Sequence, residues 1–194
     1  MLVDITLKIT PEMMKQVFNT QTVSFSGHIG THFDVMDKEF PLEYTKRKGI
    51  VFDVSSISNR DIECTDIDLT RVEKDMFVMF YSGMIERVEY GTRSYFKEHP
   101  QLSHELIDVL IKKGISMIGI DFSGVRRGSE HTPKDQLCAD HGIFVIENLC
   151  NLKSLLDTKT CTVHTYPLHM TQMTGLPCRV VAEIEKGAVK KPNN

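Results

Sequence analysis

The segment Ser26-Gly27-His28-Ile29-Gly30-Thr31-His32-Phe33-Asp34 organises the rest of this 194-residue chain. It places two histidines four residues apart and an aspartate two residues after the second histidine. Because side chains alternate between the two faces of an extended segment, we expect His32 and Asp34 to point the same way. A bend at Gly30 would bring His28 to the same point. Imidazole nitrogens and a carboxylate oxygen suit Zn²⁺, Mn²⁺ or Fe²⁺, so the segment predicts a metal site.

A simpler interpretation of this segment is a glycine-rich loop with two surface histidines. Two histidines at this spacing are a weak motif when they stand alone. The aspartate, the two glycines and Thr31 strengthen the metal interpretation. We expect the Thr31 hydroxyl to hold a ligand or a bound water in place.

Length and composition predict one soluble domain spanning residues 1–194, with a substantial core. The formal net charge of -3, without a basic block, argues against nucleic-acid binding. Five widely spaced cysteines without a C-x-x-C pair indicate reduced thiols and a cytoplasmic protein. No apolar run approaches the roughly 20 residues of a membrane span. Charges at Asp4 and Lys8 also interrupt the apolar start, so we expect no signal peptide.

Hydrophobic patterns predict an α/β domain with a mixed β-sheet and few helices, which lie on one side of the sheet. The predicted strands are residues 2–9, Thr22–Phe25, Ile50–Val54, Met76–Tyr81, Ile115–Ile120, Ile143–Ile146, Thr160–Pro167 and Arg179–Ile184. A helix capped by Ser103 and closed by Gly114 is the clearest, and a short one is expected at Pro11–Val17. The stretch Ser123–Pro133 is expected to be a charged loop.

Several segments together resemble the metal-dependent cyclase and kynurenine-formamidase-like hydrolase family. His28–Asp34 resembles the start of its HxGTHxDxPxH signature. Four further segments resemble parts of the family pattern. Val3–Leu7 resembles its first strand, and Gly119–Val125 resembles its GIDxxSV segment. Ile146–Leu152 resembles its ENLxNL segment, and Gly175–Ala182 resembles its GSPxRxxA ending. The resemblance therefore covers nearly the whole chain. It implies a swivelling β/β/α architecture and a divalent metal, with Zn²⁺ or Mn²⁺ as the expected ion.

The family resemblance also assigns site residues. It implies that His28, His32, Asp34 and the glutamate of the ENL segment, Glu147, are metal ligands. A glutamate that caps a helix is the alternative for Glu147. The family places a further histidine about twelve residues before this glutamate, where this chain has Asp135. His131 lies four residues earlier, and either residue would supply the ligand.

The chain departs from the signature after Asp34. The family continues with a proline and then a histidine, where this chain has Met36 and Lys38. That histidine is a proposed catalytic residue in the formamidases. Glu147 or a metal-bound hydroxide is then expected to act as base, and Lys38 to stabilise an oxyanion.

Three further residues are candidate substrate ligands. Arg126 and Arg127 would bind a carboxylate of the substrate, although a solvated surface pair is the plainer interpretation. Tyr81 ends a predicted buried strand, where α/β proteins often place site residues.

Together these features predict a metal-dependent hydrolase of an amide or cyclic amide, similar to arylformamidases and cyclases. The alternative is a non-catalytic protein of the same family that binds a metal or small molecule. The resemblance also implies a homodimer or larger homo-oligomer acting on a small molecule, with no nucleic acid and no membrane. The segment from Val17 to Phe25 is short and lacks tryptophan, so we do not expect the family's aromatic anilide as substrate.

Overall fold

The computed structural model describes residues 1–8, 10 and 27–184, and these residues form one large sheet with helices packed against it. The strands of this part of the chain are β1 (Leu2–Asp4), β2 (His32–Asp34), β3 (Lys46–Asp53), β4 (Phe77–Tyr81), β5 (Met117–Ile120), β6 (Phe144–Glu147), β7 (Cys161–Pro167) and β8 (Gly175–Glu183). The helix expected at Pro11–Val17 and the strand expected at Thr22–Phe25 lie outside the described residues.

The sheet closes on itself as a barrel. Its strands run in the order β1-β8-β2-β6-β5-β4-β3-β7, and β7 pairs with β8 again. The pairs β3–β4, β4–β5 and β5–β6 are parallel, whereas β2, β7 and β8 pair antiparallel with their neighbours. One edge of β8 therefore carries β1 and β2 end to end, and its other edge carries β7. The predicted mixed α/β sheet is confirmed.

The strand Phe77–Tyr81 shows why apolar residues fill the central strands without alternation. Phe77, Met79 and Tyr81 pack into one cluster with residues of β2, β7 and β8. Val78 and Phe80, between them, pack into a second cluster with the helices. Since both faces of the strand are buried, both sets of side chains must be apolar. The helices lie on one face of the sheet, as expected.

The helices of the described residues are α1 (Met84–Arg87), α2 (Arg93–Lys97), α3 (His104–Lys113) and α4 (His131–Asp140). Single 3₁₀ turns occur at Leu42–Thr45, Cys64–Asp66, Leu69–Arg71, Gly128–Glu130 and Leu152–Leu155. Helix α3 begins as predicted, because the Ser103 hydroxyl accepts a hydrogen bond from the Leu106 amide at 3.1 Å. It ends at Gly114, which has a φ of 65°. None of these helices is long enough to cross a membrane.

The loop expected at Ser123–Pro133 is wrong in its second part. Helix α4 begins at His131, so Pro133 lies in the first helical turn. A proline is tolerated there because the first amides of a helix have no acceptor within it. The residues that follow are mostly polar and show no apolar stripe that would have indicated a helix. Strands β3 and β8 also begin four residues earlier than predicted, at Lys46 and Gly175.

Candidate metal centre

His28, His32 and Asp34 converge on one point, as their spacing predicted. The Nδ1 atom of His28 lies 3.1 Å from Nε2 of His32 and 3.0 Å from Oδ1 of Asp34. The third distance, from His32 Nε2 to Asp34 Oδ1, is 3.5 Å. Strand β2 turns His32 and Asp34 to the same side, and Gly30, with a φ of 60°, makes the bend that returns His28 to them.

The outer nitrogens of both imidazoles are already engaged. His32 Nδ1 donates to the Gly30 carbonyl at 2.9 Å, and His28 Nε2 bonds the Thr174 hydroxyl at 2.9 Å. Neutral His32 therefore presents the lone pair of Nε2 to Nδ1 of His28 and to Asp34. This lone pair and the Asp34 carboxylate repel each other at this separation unless a proton or a metal ion lies between them.

The buried carboxylate supports the same interpretation. Asp34 is 1% exposed, and its Oδ1 lies 3.0 Å from His28 Nδ1 and 3.5 Å from His32 Nε2. A buried carboxylate whose neighbours are imidazole nitrogens fits a metal ligand. Bonds of about 2.0–2.2 Å in a tetrahedral or octahedral shell separate neighbouring ligand atoms by roughly 2.8–3.6 Å. All three measured separations fall within this range, so the residues fit a divalent ion.

The electrostatics of the group also favour positive charge. Burial would lower the pKa of His32, but the hydrogen bond with Asp34 and the charges of Asp34 and Glu147 raise that pKa to about 9. Burial likewise opposes ionisation of Asp34, but His28 and His32 hold its pKa well below the usual range. A proton therefore occupies His32 in the metal-free protein, at a place where a metal ion would supply the positive charge.

A second group of ligand atoms adjoins the first and shares Asp34 with it. Asp34, His131 and Asp135 each offer one ligand atom, and these three atoms lie within 4.8 Å of one another. His131 Nε2 lies 3.1 Å from Asp135 Oδ2 and 3.1 Å from Glu147 Oε1. Glu147 Oε2 in turn lies 3.6 Å from His32 Nε2. The sequence left His131 and Asp135 as alternative ligands, and the structure brings both to the cluster.

The fold explains this assembly. His32 and Glu147 are direct partners across the antiparallel pair of β2 and β6. His131 and Asp135 lie one turn apart in α4, on one face of the helix. Burial and the neighbouring charge of Asp34 raise the pKa of Asp135 to about 8. The Ser123 hydroxyl, which follows β5, donates to Glu147 at 3.4 Å.

Lys38 does not join this group. Its ammonium contacts Asp37 at 3.0 Å and Asp140 at 2.8 Å. The hydrogen bonds to Asp140 and Asp37 raise the pKa of Lys38, so burial does not convert it into a base. Asp140 ends α4 and His131 begins it, and nine steps of helix rise about 13.5 Å. The Lys38 ammonium therefore anchors the loop after β2 to the far end of α4.

The other predicted ligands are also held elsewhere. Arg126 is buried and forms ion pairs with Asp61 and Glu130. The Tyr81 hydroxyl donates to Glu86 at 3.0 Å. Arg127 is exposed, and its guanidinium lies 3.4 Å from the Lys97 carbonyl. None of the three is brought to the cluster, because each satisfies a partner on a neighbouring loop or helix.

Sequence reasoning missed several hydrogen-bond partners that hold the segment His28–Asp34 in place. The Thr31 hydroxyl donates to the Asn148 carbonyl at 2.8 Å and accepts from the Leu7 amide at 2.8 Å, so it fixes backbone instead of a ligand. The Gly30 amide donates to the Tyr90 hydroxyl at 2.8 Å. The only available signal was the polar Asn148 after an apolar strand, since a buried amide must have partners.

An open groove of about 770 Å³ lies beside the loop that follows β2. It is lined by residues 35–40, Leu42, Thr45, residues 166–174 and Leu176. The candidate metal ligands do not line it, but Thr174 in its wall bonds His28 through the side-chain hydroxyl. Its volume lies within the roughly 300–1,000 Å³ of small-molecule sites.

Comparisons with known proteins identify the fold and the family. The chain is similar to a solved structure described as a potential metal-dependent hydrolase with cyclase activity, with 20% identity, a TM-score of 0.75, and coverage of 96% of this chain and 99% of that one. It is also similar to isatin hydrolase A from Labrenzia aggregata, with 22% identity, a TM-score of 0.67, and coverage of 79% and 72%.

A third similar structure is a predicted metal-dependent hydrolase from Bacillus stearothermophilus, with 20% identity, a TM-score of 0.66, and coverage of 94% and 97%. These TM-scores show a shared fold and confirm the architecture expected from the resemblance. None of the curated proteins compared matches this chain. A family model described as "Putative cyclase" matches residues 3–126, which is more than half of the chain. The chain therefore belongs to the cyclase family.

Proposed function

We propose that this protein is a metal-dependent hydrolase that cleaves an amide or cyclic amide bond. One observation carries the proposal: the buried Asp34 carboxylate and the inner nitrogens of His28 and His32 converge on one point, with separations of 3.0 to 3.5 Å. The family and the names of similar structures agree with it.

The metal ligands would be His28, His32 and Asp34, with Asp34 shared with a second position at His131 and Asp135. When bound, a divalent ion would polarise the substrate carbonyl and lower the pKa of water toward neutral. Zn²⁺ and Mn²⁺ both suit this set of nitrogen and oxygen ligands.

The chain supplies its own groups for proton transfer. Glu147 lies between the two halves of the site, 3.1 Å from His131 and 3.6 Å from His32. Its carboxylate is placed to accept the proton of the attacking water. With one ion at His28, His32 and Asp34, His131, whose Nε2 is within hydrogen-bond distance of Glu147 and Asp135, is placed to pass a proton to the leaving nitrogen. With a second ion at His131, Glu147 would pass on the proton that it accepted. This assignment replaces the catalytic role that the sequence suggested for Lys38.

The substrate would enter along the groove that contains Thr174. Its walls contain apolar residues such as Phe40, Met173 and Leu176, and the Thr174 hydroxyl lies beside His28. Isatin, named for two similar structures, is a cyclic amide of suitable size and is the first substrate to test.

The test combines metal analysis with hydrolysis of isatin and of simple formamides. Wild-type protein and two variants, His32→Ala and His164→Ala, are loaded with Zn²⁺ or Mn²⁺ and then desalted. His164 is the matched control, because its ring pairs with Glu183 instead of the cluster. We expect His32→Ala to lose most of its metal and activity, and His164→Ala to keep both. Wild-type metal content in His32→Ala would refute the site.

A non-catalytic binding protein is the second candidate function. The observation that favours it is Lys38, which stands where the family has its histidine and whose ammonium contacts two carboxylates. This candidate predicts that the metal-loaded protein binds amides without cleaving them. Turnover of any amide that is lost in His32→Ala would exclude it.

A further inference from the structure

We propose that Asn148 and Tyr95 are positioning residues. They fix the orientation and the tautomer of the His32 imidazole by holding the Gly30 carbonyl in place. The inference rests on the proposed metal centre and extends it to two residues that do not touch the ion. It follows from a chain of hydrogen bonds in the described part of the protein, in which each group fixes the orientation of the next.

The chain of hydrogen bonds begins at His32. Its Nδ1 lies 2.9 Å from the Gly30 carbonyl, which only accepts, so the ring carries its proton on Nδ1. This tautomer leaves the lone pair on Nε2, the nitrogen that faces His28 and Asp34. The Gly30 carbonyl therefore selects the form of His32 that ligates a metal.

The Gly30 carbonyl is itself held by Asn148. The side-chain amide of Asn148 donates to it at 2.8 Å, and both groups are buried. Asn148 has a φ of 59°, a left-handed conformation that asparagine adopts more readily than most residues. Since Glu147 precedes it directly, the same turn places one candidate ligand and orients another.

Tyr95 determines which end of the Asn148 amide faces Gly30. Its hydroxyl donates to Asn148 Oδ1 at 2.6 Å. If the amide turned over, its oxygen would face the Gly30 carbonyl, and two acceptors would repel each other. Tyr95 is fully buried and packs edge-on against Tyr90 with ring centroids 5.4 Å apart. The packed ring therefore holds the hydroxyl in place.

The experiment measures Zn²⁺ affinity of the full chain by competition with a chromophoric chelator. The variants are Asn148→Asp, which keeps the shape but replaces the donor, and Tyr95→Phe, which removes only the hydroxyl. Tyr44→Phe is the matched control, because its hydroxyl bonds a carbonyl elsewhere, that of Gly142 at 3.0 Å. We expect affinity to fall about 10–100-fold in Asn148→Asp and about tenfold in Tyr95→Phe. We expect Tyr44→Phe to stay within about twofold of wild type.

Two further readouts separate positioning from simple loss of stability. A structural role would lower the metal-free Tm of Tyr95→Phe and Tyr44→Phe alike and leave their Zn²⁺ affinities unchanged. In the Zn²⁺-loaded protein, the His32 Nδ1 proton resonance should move upfield in Tyr95→Phe but not in Tyr44→Phe. If Asn148→Asp does not fold, Tyr95→Phe alone decides.

Zn²⁺ affinities of Tyr95→Phe and Asn148→Asp within twofold of wild type would overturn the inference and leave the metal centre standing. A wild-type protein that binds neither Zn²⁺ nor Mn²⁺ would overturn both. The two failures are therefore distinguishable.

Discussion

Raising the pH from 7 to 8 should tighten metal binding at least about tenfold. In the metal-free protein, burial lowers the pKa of His32, but Asp34 and Glu147 raise it to about 9. Burial also lowers the pKa of His131, but its hydrogen bonds with Asp135 and Glu147 raise that pKa to about 11. A metal binds only the neutral imidazole, so it must displace these protons. At pH 7 about 99% of His32 is protonated by this value, and each displaced proton contributes about tenfold per pH unit.

The number of displaced protons shows which histidines are ligands. If only His32 releases a proton, the affinity rises about tenfold per pH unit between pH 7 and 8. If His131 is also a ligand, the rise is at least about a hundredfold, because His131 releases a proton and Asp135, with a pKa of about 8, releases part of another. Chelator competition at pH 7.0, 7.5 and 8.0 gives the slope, and titration calorimetry in buffers of different ionisation enthalpy counts the protons. His164→Ala should keep the wild-type slope. An affinity that does not change over this range, with no proton release, would refute the reasoning.

Three other outcomes are expected. The metal-free protein should lose stability as pH rises from 6.5 through about 9, because the raised pKa of His32 stabilises the fold below 6.5 and that contribution disappears above 9; thermal unfolding should show this loss, and His32→Ala should reduce it but not abolish it, since the raised pKa of His131 acts in the same direction. Hydrolysis of N-formylkynurenine should stay far below the median enzyme turnover of about 10 s⁻¹, because Lys38, at the position of the family's histidine, is held by Asp37 and Asp140 away from the cluster; a wild-type rate near the median would contradict this. The protein should be a homodimer or larger, because Leu42, Tyr166 and Leu168 are exposed apolar residues around the groove; a monomer by light scattering at micromolar concentration would exclude it.

Most strands of the barrel followed from local patterns, but its closure through β7 and β8 did not. The apolar runs of β4, β5 and β6 stand out because both of their faces are buried. The charged beginning of β3 shows no such apolar run. Lys46 and Lys48 belong to the strand because they pair with β7. Helix α4 was also missed, because its sequence is mostly polar. The residues on its inner face include His131 and Asp135, which contact the cluster instead of an apolar core. Long-range pairing therefore explains most of the differences.

The ligands of the candidate site were easier to find than the residues that hold them. His32 and Asp34 follow from strand alternation, and the bend at Gly30 from its lack of a side chain. Lys38 was misassigned because its distance along the chain says nothing about Asp140, which attracts its ammonium. The partnership of Tyr95 with Asn148 joins residues 53 positions apart, so no local pattern encodes it.

The position of β8 in the barrel has a consequence for protein synthesis. The nascent chain presents the loop of His28 long before its partner Thr174, which lies 146 residues later. At roughly 5–20 residues per second, the ribosome needs about 7–30 s to make the intervening chain. β2 lacks β6 for most of this interval and β8 for all of it. The contact of His28 with Thr174 therefore forms only after residue 174 is made, and binding of an ion by the complete site would follow closure of the barrel.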